Sequence, residues 1–556
     1  MATRIISYKD RSAFIRPTSS PKLRKLVYCH DYMINSSIMC TPARIPYPEL
    51  PGVQFTSLST SLVSNLTVDI LESTYVNNGA IHAEGVSFCN LTTTYTHTGE
   101  SDTVTISIYL PEEWNGRMQG VGGGGYSAGG VNFPVLQYTM LGAVSEGYSA
   151  ITTNAGHSSI NPDDWILKSP GHVNLQLLEE FGSTSLNELS IIGKAITESY
   201  YGKPPAYSYW NGCSQGGRQG FKIAEKYPTA FDGIVASAPA VDFAGLGVAD
   251  HWPQVVMKAL GHYPKNCEFV AITEAFIKYC DGNDGLFDGI VTDPDSCDFD
   301  PYSVVNKTID CPDIDAGTTR VSEAAIKVVI ATWDGAQKSD GSFLWYGLKK
   351  GASLVDEMIP LGVNAGLATT NCVGNGTCTG HTMAVVDAWI RLLIKKDPTF
   401  DVSTVTVDEL RVLFQQSLDE YGPVFNVEPN LDGFREAGGK LLTYHGLADA
   451  ILPTDSSSDF YEKVAKHDKR INDYYRLFEA PGLAHCWSGS GGYYPAGIFK
   501  ALVSWVESDI VPDKLVAATS ESLGPARESI LCPYPQKVRY NGTSSNATAG
   551  DFYCDN

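Results

Sequence analysis

Ser214 stands in Gly212-Cys213-Ser214-Gln215-Gly216. A Gly-x-Ser-x-Gly turn between a strand and a helix holds its serine at a sharp, strained corner, so the hydroxyl projects where a substrate can reach it. Side chains in place of the two glycines would clash with the crossing strand and helix. The chemistry implied is nucleophilic acyl transfer. A serine hydroxyl is a poor nucleophile until a base takes its proton, and in this kind of arrangement an acid and then a histidine follow in chain order. Asp449 closes His445-Gly446-Leu447-Ala448-Asp449, just beyond an apolar run at Leu441 to Tyr444. His485 lies in Pro481-Gly482-Leu483-Ala484-His485-Cys486, a loop with the period of neither helix nor strand, and is the candidate base. His445, at a strand end, is the competing histidine and reads as structural. Plainer readings stay open, with the pentapeptide as an ordinary glycine turn and Asp449 as a turn cap.

Two of these candidates have a cysteine beside them, since Cys213 precedes Ser214 and Cys486 follows His485. Joined as a disulfide, their α-carbons would stand roughly 4 to 7 Å apart, bringing the serine and the imidazole within hydrogen-bond reach if their side chains converge. As two unrelated buried thiols they would carry no such message. Developing negative charge on the substrate oxygen needs amides already aimed at it. The backbone N–H of Gln215 and one from the Gly123 to Gly125 loop, assigned to Gly124, are the candidates.

These residues need a scaffold. Val104, Ile106, Ile108 and Leu110 alternate with polar neighbours as in a strand with one buried face, and Pro111 ends it. An apolar run at Gly120 and Val121 leads into four glycines, Gly122 to Gly125, a loop open to close approach by a ligand. Residues 186 to 200 carry helical spacing and close on Gly202, Pro204 and Pro205. Tyr207 to Asn211 reads as the strand before the serine turn, Gly220 to Lys226 as an amphipathic helix after it, and Gly233 to Ala236 as another short strand. Alternating β and α elements predict a mainly parallel sheet. From about 243 to 435 the pattern changes to helices, cysteine-bounded loops and an acidic segment, before strand character returns at Lys440 to Tyr444 and a helix near Ile498 to Ser508. An inserted domain is expected at 243–435, splitting a first unit into 40–242 and 436–556.

A chain of 556 residues exceeds what one core supports, so at least two packed units are expected. A formal net charge of −22 argues against nucleic acid and anionic membranes as partners, and no apolar stretch is long enough to cross a bilayer. Thirteen cysteines and seven Asn-x-Ser/Thr sequons, at Asn35, Asn65, Asn90, Asn306, Asn375, Asn541 and Asn546, predict an oxidising, glycosylating route and an extracellular protein. Residues 1–39 conflict with this. They are rich in Arg and Lys and contain no continuous apolar segment, so a signal peptide is not expected there.

Cys213-Ser214, Asp449 and His485-Cys486, together with Tyr201-Gly202-Lys203-Pro204-Pro205, Asn211 through Gly220 and Phe231-Asp232-Gly233-Ile234-Val235, resemble the tannase and feruloyl esterase family from about Cys40 to Cys554. The resemblance implies an α/β-hydrolase with a large lid inserted between nucleophile and acid. It implies a structural calcium ion in that lid, held by Asp281, Asp284 and Asp288 with the backbone carbonyls of Leu286 and Ile290, hard oxygen ligands suited to calcium. Taken alone, that segment departs from the EF-hand pattern and reads equally as a solvated acidic loop. The resemblance further implies disulfides Cys40–Cys89, Cys213–Cys486, Cys280–Cys297 and Cys532–Cys554; Cys372–Cys378 reads as a local bridge, and the pairing of Cys267, Cys311 and Cys29 stays open, with Cys267–Cys311 one candidate pairing and Cys29 left over.

The expected reaction is hydrolysis of a phenolic-acid ester, feruloyl or galloyl, through an acyl-enzyme on Ser214, with a small phenolic or a plant polysaccharide or tannin ester as substrate. No organic cofactor is expected. A peptidase on the same fold and a silent binding protein are the alternatives, and the presence of all three groups in workable order weighs against silence. The sequence leaves oligomeric state open.

Overall fold

The computed structural model describes residues 39–555, apart from 313, 356, 359–363, 487–490, 522–523 and 543–546. The basic amino-terminal segment, except its last residue, lies outside the described residues, and so do Cys29, Asn35 and Asn546.

A nine-stranded sheet forms the frame: β1 (Val53–Ile70), β2 (Ile81–His97), β3 (Val104–Pro111), β4 (Arg117–Val121), β5 (Ser149–Thr153), β6 (Tyr207–Cys213), β7 (Gly233–Ser237), β8 (Lys440–Gly446) and β9 (Tyr475–Ala480). Their order is β1-β2-β3-β5-β4-β6-β7-β8-β9. The pairs from β1 to β5 are antiparallel, and every later pair is parallel. β3 buries Val104, Ile106, Ile108 and Leu110 on one face, as its alternation predicts. β5 and β7 are buried along their whole length, because helices cover both faces of the parallel part.

On one face α2 (Ser185–Tyr201), α3 (Gln215–Lys226) and α6 (Thr454–His467) share a core with β3 and β8; on the other, α1 (Pro134–Ser145) and α7 (Ile498–Ser508) pack over Tyr209, Leu442 and Phe478. α2 ends on Gly202 at φ 73°, where a left-handed residue closes a helix most cheaply. The helix after the serine begins at Gln215, earlier than the expected Gly220. Its first turn is rich in glycine and lacks an apolar stripe, because it lies hard against the sheet: a Cβ on Gly220 would come 2.9 Å from Trp210 and from Ile234.

Between β7 and β8 the chain leaves the sheet, and among the described residues no strand of 243–435 joins it. Here α4 (Phe243–Ala249) and α5 (Val407–Phe425) contribute to a third core, in which Phe243, Trp389 and Phe425 pack with Tyr126, Trp165 and Phe181 from the segments flanking the sheet. This shared core lays the insertion over the end of the sheet that carries Ser214. Six disulfides form, Cys40–Cys89, Cys213–Cys486, Cys267–Cys311, Cys280–Cys297, Cys372–Cys378 and Cys532–Cys554.

Candidate active site

Ser214 sits between β6 and α3 at φ 62°, ψ −122°. A non-glycine residue with this backbone is strained and stays so only where its surroundings over-determine it. They do. A Cβ on Gly212 would lie 2.4 Å from the Gly216 oxygen, and one on Gly216 would lie 2.8 Å from the Gly123 oxygen, so neither glycine could be another residue without opening the turn. The Ser214 N–H donates to Ser237 O at 3.0 Å, and the Arg218 N–H donates to Ser214 O at 2.9 Å.

The acid and base come from the loops after β8 and β9, which are zipped together. Leu447 N–H donates to Ala480 O and Ala448 N–H to Leu483 O, both at 2.9 Å. A Cβ on Gly446 would stand 2.1 Å from Leu483 O, so this close approach requires glycine. The Asp449 carboxylate accepts the N–H groups of Ile451 and Leu452 on Oδ1, at 2.9 and 2.8 Å, and faces His485 Nδ1 with Oδ2 at 2.7 Å. Burial alone would push this carboxyl up, but the neighbouring His485 and His445 outweigh it and hold Asp449 well below the usual carboxylate range. It is therefore an anion that accepts from His485 Nδ1 and orients the ring, with Nε2 on its opposite side.

Cys213 and Cys486 form the expected bridge, with α-carbons 5.9 Å apart. Tyr444 adds a hydroxyl donation to the Cys486 carbonyl. Ser214 and His485 line one cavity of about 60 Å³, with no hydrogen bond between the two side chains among the described residues. Such contacts often tighten only when substrate binds. A larger cavity of about 390 Å³ lies against Leu447, Ala448, Ala484 and the Asp288 to Ile290 turn, but Ser214 is not part of its wall.

His445 has a part that sequence reasoning missed. It is fully buried, with Nε2 at 3.2 Å from both Leu452 O and Asp449 Oδ2, and Nδ1 at 2.8 Å from Ser457 Oγ. Two acceptors at Nε2 require the proton to be there, so His445 is a second donor to the acid. The only sequence signal was its spacing from Asp449. Replacing His445 with Phe should lower kcat about tenfold and shift the acid limb of the kcat/KM–pH profile, because Asp449 Oδ2 would then answer to His485 alone; His445→Gln, which can still donate, should retain more activity. Identical pH profiles for wild type and both variants would reduce His445 to packing.

The assignment of Gly124 to the oxyanion hole is corrected by the turn it occupies. Its N–H donates to Ser127 O at 3.1 Å, and its carbonyl accepts from Ser127 N–H at 2.9 Å. The Gly123 N–H is also engaged, donating to Gln219 Oε1 at 2.8 Å. Gly125, at φ 56°, is the loop residue that lines the cavity beside Ser214 and Gln215. Gln215 opens α3, where first-turn N–H groups lack intrahelical partners, and its side chain accepts from Arg218 Nε at 2.7 Å.

The Asp281 to Ile290 turn folds around its own carboxylates. Asp281 Oδ1 accepts from Asp288 and Gly289 N–H groups at 3.0 and 2.7 Å, Asp284 Oδ1 from Leu286 N–H at 2.9 Å, and Asp288 Oδ1 from Ile290 N–H at 3.0 Å. Burial, reinforced by the charges of Asp288 and Asp281, pushes the Asp284 carboxyl up. This crowding of negative charge in an all-oxygen set fits a hard cation. The carboxylates are turned toward local donors and do not converge to within 4.8 Å of one another.

A mainly parallel sheet with a serine elbow after β6, an acid loop after β8 and a histidine loop after β9 defines an α/β-hydrolase. A family model described as Tannase and feruloyl esterase matches residues 89–555. A probable feruloyl esterase from Arthroderma benhamiae is 39% identical over 481 residues, covering 84% of this chain and 86% of that protein. Among solved structures, the tannin acyl hydrolase from Aspergillus niger matches with a TM-score of 0.82 at 27% identity, over 94% of this chain and 95% of that one. Feruloyl esterase B from Aspergillus oryzae shares the fold, with a TM-score of 0.73 at 24% identity over 93% and 99% of the two chains. The chain belongs to the tannase and feruloyl esterase family and is a carboxylic ester hydrolase.

Proposed function

We propose that the chain hydrolyses phenolic-acid esters through Ser214, His485 and Asp449. His485 Nε2 takes the Ser214 proton as Oγ attacks the ester carbonyl, and Asp449 stabilises the imidazolium that forms. The backbone N–H groups of Gln215 and Gly125 hold the developing oxyanion. Collapse expels the alcohol, which takes the proton from His485; water, activated by the same imidazole, then releases the acid and frees Ser214. The observation that carries this reading is the 2.7 Å Asp449–His485 contact beside a strained Ser214, both ends tied by the Cys213–Cys486 bridge.

The wall around Ser214 favours a feruloyl over a galloyl acyl group. Ala240, Phe243, Leu246, Met383, Val385 and Leu452 line it, and among the described residues no carboxylate or ammonium group does. Each ring hydroxyl buried there without a partner costs about 1–3 kcal/mol. A cavity of about 60 Å³ is small beside the few hundred Å³ of typical ligand sites, so the ring enters as insertion side chains such as Met383 and Val385 move aside. In a panel of methyl ferulate, methyl gallate and an aliphatic methyl ester, kcat/KM should be highest for ferulate and at least about tenfold lower for gallate. Faster gallate hydrolysis would reverse the assignment, and hydrolysis of the aliphatic ester alone would remove phenolic esters from it.

Calcium, when bound by Asp281, Asp284, Asp288 and the Leu286 and Ile290 carbonyls, would supply charge neutralisation that stiffens the insertion. The crowding at Asp284 supports this. Chelation should lower the melting temperature, calcium should restore it, and Asp284→Asn should abolish the response; binding at a hundredfold excess over Kd is worth about 2.7 kcal/mol. A melting curve indifferent to chelator would sink the calcium site. A secreted, glycosylated protein is supported by six disulfides and by exposed sequon asparagines at Asn65, Asn306, Asn375 and Asn541. Among the described residues no helix is long and apolar enough to cross a membrane.

A further inference from the structure

Away from Ser214, β2 ends on His97, whose ring sits among three carboxylates. Nδ1 is 2.5 Å from Asp102 Oδ2, while Nε2 is 2.8 Å from Glu188 Oε1 and 3.5 Å from Glu180 Oε1. One donor atom from each of His97, Glu180 and Glu188 lies within 4.8 Å of the others. Two bonds of about 2.0–2.2 Å span up to about 4.4 Å, so a single ion reaches all three atoms with shifts of a few tenths of an ångström at most.

The surroundings are built as a metal site is built. Glu180 is 1% exposed, yet its Oε2 has no hydrogen-bond partner. Buried carboxylate oxygens are almost always satisfied, and one left open beside an imidazole and a second carboxylate marks a missing partner. The remaining oxygens are accounted for, with Gln176 Nε2 donating to Glu180 Oε1 at 3.1 Å and the Tyr95 hydroxyl to Glu188 Oε2 at 2.6 Å. Asp102 receives Nδ1–H, and is itself fixed by the His97 N–H and the Thr96 hydroxyl, both at 3.0 Å. Ligating histidines characteristically give their second N–H to a carboxylate in this way. Among the described residues His97 is the only ion-pair partner of Asp102, Glu180 and Glu188, so three carboxyl groups face one imidazole. Glu180 also opens a π-turn, Glu180–Thr184, a widening that recurs at functional positions in helices.

We propose that His97 Nε2, Glu180 and Glu188 bind one divalent transition ion of the zinc or manganese kind, with Asp102 orienting the imidazole. Mixed imidazole and carboxylate donors suit these ions, whereas the all-oxygen turn at Asp281 to Ile290 suits calcium. The ion would tie the end of β2 to α2, on which Glu188 lies, and none of its ligands lines the cavity beside Ser214.

The test uses the full chain, treated with chelator and returned to calcium buffer, then loaded with zinc alone or manganese alone and desalted. Elemental mass spectrometry should find one retained equivalent of at least one of the two, and calorimetry a raised melting temperature. Glu180→Gln, which keeps the side chain's size and replaces a carboxyl oxygen with an amide nitrogen, should bind at least tenfold more weakly and lose the thermal shift. Glu188→Gln provides the same comparison should the first variant not fold. Retention of neither metal, or equal retention by wild type and the Gln variants, would overturn the site and leave a charge-paired histidine.

Discussion

Replacing Ser214 with Ala should lower turnover of a phenolic ester by at least about 10³-fold and leave the melting temperature nearly unchanged. Alanine keeps the Cβ and the strained φ of 62°, so the fold loses only a hydroxyl. On the proposed mechanism the chemistry loses its nucleophile, because Ser214 supplies the hydroxyl at the corner where β6 meets α3. Fluorophosphonate labelling of the wild type should stop with the same substitution, since only an activated serine reacts quickly. Residual turnover within tenfold of wild type would mean that another residue is the nucleophile.

The second large effect belongs to the Cys213–Cys486 bridge. It closes a loop of 273 residues that contains the whole insertion. Chain-entropy reasoning assigns such a cross-link several kcal/mol, about 5.6 for a loop of this length. Changing both cysteines to Ser should therefore lower the melting temperature markedly and reduce kcat by at least about tenfold, because the bridge sets the Ser214 corner against the His485 loop. Removing the Cys532–Cys554 bridge of the carboxyl-terminal hairpin is the control. It should cost stability while sparing kcat. Equal loss of kcat in both double variants would show that the bridge beside the serine has no special positioning role.

Much of the site was legible because its residues announce themselves locally. Gly212 and Gly216 have to be glycine for the turn around Ser214 to close, and Cys213 and Cys486 mark the candidate residues beside them. β3 was legible from strict alternation, and α2 from helical spacing ended by Gly202. The long β1–β2 hairpin went unread, since its strands are rich in Ser and Thr and much of their surface is solvated, which blurs the two-residue period. The start of α3 was misplaced because glycines chosen for close packing against β6 carry no apolar stripe.

The sequence by itself determined the order of the candidate nucleophile, acid and base and the alternating frame, which follow from residue types acting on near neighbours, while the pairing of the cysteines rested on the family resemblance. Tertiary structure alone decided which N–H groups are free and which partners each side chain shares. Gly124 looked available until its N–H was found spent on Ser127, and His445 looked idle until the loops after β8 and β9 set its Nε2 against Asp449. His97, Glu180 and Glu188 are far apart in the chain and meet only because β2 and α2 pack together. Hydrogen bonds are exclusive and short-ranged, so their final allocation depends on distances that only the folded chain sets.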